Sequence, residues 1–137
     1  MMNKLILAAL AALMLSACAS TGGGKSAPTV EQRAEQRVQT MVERDFAKTY
    51  QFLTPAYRGV HGEDAYTSML RQSPTTWKEG KVVSKECNES GERCTLRVQV
   101  KMIASKVVPG MPAFPVTATR TENWIQVDGQ WYYSPRR

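Results

Sequence analysis

The chain has 137 residues, with 18 basic side chains, 12 acidic ones and a single histidine, which gives a formal net charge of +6 at pH 7. That length suits one domain with a real but modest core. The positive residues are scattered, with no basic tract interleaved with aromatics, so the charge reads as a solvated surface or an attraction to anionic headgroups or cell-wall polymer rather than a nucleic-acid site.

Met1 to Lys4 forms a short positive start, Leu5 to Leu15 is an unbroken apolar run of 11 residues, and Ser16-Ala17 places small side chains before Cys18. This is the layout of a secretory signal. Eleven helical residues reach about 16 Å, well short of a hydrocarbon core roughly 30 Å thick, so the run does not read as a membrane span. Leu15-Ser16-Ala17-Cys18 resembles the lipobox of bacterial lipoproteins. The resemblance implies cleavage before Cys18, diacylglycerol on its sulfur and acylation of the new amino group. It also implies sorting by the next residue. That residue is Ala19 and not aspartate, which in a cell with two membranes implies the outer one, with the domain facing the periplasm. The expected parts are a leader at 1–17, a lipidated tether at 18–28 and one domain at 29–137. Export also removes nucleic acid as a partner.

The tether is small and polar and contains Gly22-Gly23-Gly24. Ten such residues have an rms reach of roughly 17 Å. From Thr29 the pattern becomes helical: Val30, Ala34, Val38, Met41 and Val42 fall at steps of three and four, and Glu31, Arg33, Glu35 and Arg37 are assigned to the polar face. Thr29 with Gln32 three residues on makes a capping box. Asp45 is the expected cap of a second short helix through Phe46, Tyr50 and Leu53. Thr54-Pro55 ends it and starts a further turn at 56–58, and Glu63 to Arg71 has the apolar spacing of one more helix.

The remainder reads as strands. Trp77 to Cys87 and Cys94 to Ile103 flank a polar six-residue loop, as in a hairpin. With Cys18 assigned to lipid, Cys87 and Cys94 form an even pair in an oxidising compartment, the arrangement of a disulfide. A metal site would need more ligands than His61, distant in sequence, supplies, and a redox site would need closer cysteines. Pairing Cys87 with Cys94 sets Lys85 opposite Leu96 and Val83 opposite Val98, and puts Leu96, Val98, Val100 and Met102 on one face. The ring of eight residues removes about 2.5 kcal/mol of unfolded-chain entropy.

Pro115 to Val127, Asp128-Gly129 and Gln130 to Ser134 form a second hairpin around a favoured two-residue turn. Trp124 opposes Tyr133 and Gln126 opposes Trp131, so Trp124, Trp131 and Tyr133 share a face. The other face carries Ile125, Val127 and Tyr132. One face calls for the helices, and the other for loops, a partner or a second copy of the chain. Helices followed by an antiparallel sheet define an α+β class. The stretches Asp45 to Arg58 and Trp124 to Tyr133 resemble small lipoproteins of the nuclear transport factor 2-like superfamily. That resemblance implies N-terminal helices packed on a curved, cone-shaped antiparallel sheet.

Fold does not choose the chemistry here. Enzymes of that superfamily place an acid, histidine or tyrosine inside the cone, and the candidates in this chain are Glu122 on the last long strand and His61 between glycines. Neither forms a catalytic signature, and no cofactor or metal is expected. The expected role is non-enzymatic: binding an envelope protein partner or a small apolar ligand, or pairing as a homodimer through an exposed sheet face. Trp124, Trp131 and Tyr133 are the candidate contacts, together with Met111 and Phe114 in the apolar, proline-broken segment 107–114. An enzyme of the same fold and a structural envelope protein are the alternatives.

Overall fold

A computed structural model describes residues 26–136. The expected leader, lipidation site Cys18 and most of the tether lie outside the described residues. Four helices come first: α1 (Val30–Glu43), α2 (Phe46–Gln51), α3 (Pro55–Val60) and α4 (Glu63–Arg71). Four strands follow: β1 (Thr75–Cys87), β2 (Arg93–Ala104), β3 (Phe114–Val127) and β4 (Gln130–Ser134). The strands form one antiparallel sheet in the order β1-β2-β3-β4, with α1 packed across one face and α2 and α4 gathered beside it. This is the α+β arrangement expected from the pattern.

The helix starts follow local chemistry. The Thr29 hydroxyl accepts from the Gln32 N–H at 3.2 Å while the Gln32 side chain accepts from the Thr29 N–H at 2.9 Å, which satisfies two donors that a helix start leaves open. Asp45 caps α2 through the Lys48 N–H. Thr54 caps α3 with Pro55 at its first position, and α3 runs on to Val60, longer than the single turn expected. Between α1 and α2, Arg44 takes a left-handed conformation at φ 59° and turns the chain back.

Strand β2 alternates strictly: Cys94, Leu96, Val98, Val100, Met102 and Ala104 are buried under the helices, while Arg93, Thr95, Arg97 and Lys101 face outward. Val38 of α1 meets this inner face at Gly80, where a methyl group would come within 2.8 Å of its Cγ1. The first hairpin pairs Cys87 with Cys94 and Lys85 with Leu96, but Val82, not Val83, opposes Val98. A bulge between Val82 and Ser84 absorbs Val83, and a second lies between Trp77 and Glu79. Each bulge bends and twists the edge strand, which counting from the disulfide did not anticipate. The second hairpin matches expectation at Trp124–Tyr133 and Gln126–Trp131, and its turn has positive φ at both Asp128 and Gly129.

The far edge of the sheet is closed by the chain itself. Thr54 N–H donates to Tyr133 O at 3.1 Å, Tyr133 N–H donates to Phe52 O at 2.7 Å, and Leu53 makes a parallel bridge to Tyr133. This short contact fixes α2 and α3 beside β4, and α3 then reaches the side of the sheet away from the core.

Candidate functional site

The centre of the inner face is polar. Arg37 is 5% exposed and Glu122 is 2% exposed, and the Arg37 Nη1 donates to Glu122 Oε1 at 2.7 Å. The Trp124 indole N–H donates to the other carboxylate oxygen at 3.0 Å. The Arg37 guanidinium lies over the Tyr133 ring, 4.0 Å from its centroid, and 5.9 Å from that of Trp77. Burial opposes the charge on Arg37, but the facing Glu122 carboxylate prevails and holds the guanidinium above its usual pKa. Burial likewise pushes the Tyr133 phenol up.

Arg37 therefore departs from its expected place on the polar side of α1. It lies seven residues after Val30, four residues before Met41 and three after Ala34, in line with the buried stripe. That spacing was a readable signal, and charge alone hid it. Glu122 is buried with both oxygens engaged, and it lines neither the cleft nor the hollow described below.

The five candidate contact residues divide. Trp124 is fully enclosed, so it offers no surface to a partner, and Trp131 and Tyr133 are half-buried against the core. The aromatic face proposed for a partner or a second copy is the one that the helices cover. Met111 remains 52% exposed and Phe114 37%, at the end of the sheet where β2 passes to β3. Phe114 is the first residue of β3, opposite Ala104.

The opposite face holds the larger opening. Exposed Thr117, Thr119 and Thr121 make most of the outer side of β3 hydrophilic, but Ile125 and Val127 interrupt that pattern at its end. Alternation puts both on the face opposite Trp124. Together with α3 and the segment after β4 they bound a cleft of about 940 Å³, with Pro55, Tyr57, Val60 and Pro135 completing its apolar lining. That volume lies in the range of ligand pockets, roughly 300–1,000 Å³. A smaller hollow of about 500 Å³ adjoins it toward the disulfide.

The walls of the cleft are held in place. The Tyr50 hydroxyl donates to His61 O at 2.7 Å and to Arg58 O at 3.3 Å, which ties down the end of α3. Tyr57 stacks on His61 with ring centroids 4.2 Å apart and also meets the edge of Tyr66. Burial raises the Tyr57 pKa. His61 is thus on the cleft rim and far from Glu122's enclosed pair, and the two catalytic candidates do not share one site. The sequence pattern did not bring His61 together with Ile125 and Val127, because it is the backbone pairing of Phe52–Thr54 with Tyr133 that carries α3 to this face.

Cys87 and Cys94 are bonded. Among the described residues, no group of three or more His, Cys, Asp or Glu side chains is arranged to hold a metal ion. No helix there is long and apolar enough to cross a membrane.

No protein-family model matches the chain, and no curated protein does. Solved structures do. A SEC-C motif containing protein from Rhodopseudomonas palustris aligns over 80% of this chain and 77% of its own, at 17% identity and a TM-score of 0.58. One from Psychrobacter arcticus aligns over 80% of this chain at 15% identity and a TM-score of 0.59, and this chain spans 60% of its length. A protein from Catenulispora acidiphila gives 14% identity over 77% of this chain and 84% of its own, with a TM-score of 0.50. At such identities the likeness is one of fold.

Proposed function

We propose that this is a lipid-anchored envelope protein of nuclear transport factor 2-like form, whose domain binds rather than catalyses. It holds a small apolar ligand in the cleft between α3 and the outer face of the β3–β4 hairpin. The observation that carries this reading is the cleft itself: apolar side chains gathered on an otherwise hydrophilic face, with a braced wall opposite. Engagement of Glu122 by Arg37 and Trp124 supports binding over acid–base chemistry in the interior.

The Leu15-Ser16-Ala17-Cys18 lipobox supports anchoring at Cys18, with Ala19 directing the protein to an outer membrane and its domain toward the periplasm. A protein partner is the second reading, favoured by exposed Val107, Val108 and Met111 at the other end of the sheet. Titrating the isotope-labelled protein with 1-dodecanol, a neutral apolar probe, should move the amide resonances of Tyr57, Val60, Ile125 and Val127. Shifts confined to 105–114 would move the site to the loop. Cys18→Ala should shift the protein from the membrane fraction to the soluble one.

A further inference from the structure

We infer that the cleft takes a single-chain amphiphile with an anionic head, of the long-chain carboxylate type, drawn from the lipid leaflet. This rests on the cleft being a binding site and goes on to name its ligand. Two independent features of the structure lead there.

The first is charge. The apolar lining is formed by Pro55, Val60, Ile125, Val127 and Pro135. The polar lining is made of the hydroxyls of Tyr57 and Ser134, the His61 imidazole and the Arg136 guanidinium, together with Thr54, whose hydroxyl already accepts from the Tyr57 N–H. None of the lining residues is acidic. An apolar trough with hydrogen-bond donors and one fixed positive charge at its mouth matches a hydrocarbon chain ending in a carboxylate. A quaternary ammonium amphiphile finds no counter-charge there, and a neutral alcohol forgoes the charge-assisted contact with Arg136.

The second is position. Ile125 and Val127 stand at the end of the sheet that carries the Cys87–Cys94 disulfide and the Asp128-Gly129 turn. The start of α1 is fastened at this same end. Glu31 pairs with Lys85, and Arg33 Nε donates to Trp131 O at 3.3 Å. The chain preceding α1 therefore enters the domain at the end where the cleft lies. If Cys18 is lipidated, a tether with a reach of roughly 17 Å holds that end within reach of the leaflet, and the exposed Val107–Met111 loop lies at the other end of the sheet. The cleft thus lies at the tethered end of the domain, within reach of an amphiphile leaving the leaflet.

The test uses the purified full chain and a palmitate analogue carrying a mid-chain diazirine, below its self-association concentration, with the crosslinked peptides mapped by mass spectrometry. Label is expected in the peptides covering 55–61 and 124–136. Unlabelled palmitate should compete about tenfold better than hexadecanol or hexadecyltrimethylammonium. Arg136→Glu combined with His61→Gln should erase that preference while hexadecanol still competes. Val60→Asp, at a position 79% exposed and thus harmless to folding, should abolish cleft labelling. Equal competition by all three amphiphiles overturns the anionic-head assignment and leaves the cleft reading standing. Absence of label from both peptides, or label confined to 105–114, overturns the cleft reading as well.

Discussion

The two faces of the sheet handle polarity in opposite ways. On the inner face the charged groups are paired: Glu122 accepts from Arg37 and from the Trp124 indole beneath α1, among Leu96, Val98 and Trp77, and only the Arg37 Nε is left without a partner in this set. On the outer face the polar groups are left to water, and side chains such as Thr119 and Arg97 have no element over them. The contrast separates stability from function. A charged residue in the interior of this fold is a packing element, whereas an apolar residue on its outer face is unspent and available to a ligand.

The sharpest way to break the contrast is Glu122→Ala, which leaves the Arg37 charge buried without its partner. It should lower unfolding free energy by about 3–5 kcal/mol in urea titrations. Replacing both partners together, Arg37→Met with Glu122→Leu, should recover most of that loss. If the single change costs under about 1 kcal/mol, the inner face is wetter than its burial implies. Next is the disulfide at the sheet end: Cys87→Ser with Cys94→Ser should cost about 2.5 kcal/mol if its effect is mainly on the unfolded chain.

Gly80→Ala should cost about 1–3 kcal/mol, because the new methyl meets Val38 of α1 and the helix must move off the sheet. On the outer face, Lys101→Met removes an exposed pair with Glu79 and should change stability by less than about 1 kcal/mol. The smallest effect concerns pH. A hydrogen bond from Lys85 holds the half-exposed Glu31 carboxyl below its usual pKa. The associated stabilisation is present above the unfolded carboxyl value of about 4.3 and fades as pH falls through the lower folded value. Lys85→Met should remove a few tenths of a kcal/mol of acid-side dependence, visible in Tm measured across pH 2–6.

Much of the fold was legible in local patterns. Thr29 with Gln32, Asp45, and Thr54-Pro55 announced three helix starts. The alternation from Leu96 to Met102 and the Asp128-Gly129 turn announced two hairpins, because caps, alternation and turns depend on neighbours a few residues apart. What depended on distant parts of the chain was hidden. Val83 slips into a bulge that the disulfide spacing could not reveal. Trp124 looked like a contact residue because its strand has two apolar faces, and only helix packing decides between them. Arg37 and Glu122 lie 85 positions apart, and the cleft exists because Leu53 pairs with Tyr133. The sequence could list the walls of that cleft without showing that they meet.

The same Leu53–Tyr133 bridge has a consequence for how copies of this protein coexist. It occupies the β4 border, leaving β1 as the border with open backbone groups. There, two bulges distort the hydrogen-bond ladder, and the exposed charged side chains Lys78, Glu79, Lys81 and Glu86 must be desolvated or matched by any strand that approaches. Growth of a fibre by strand addition is thus blocked at one end by the chain's own backbone and discouraged at the other by shape and charge.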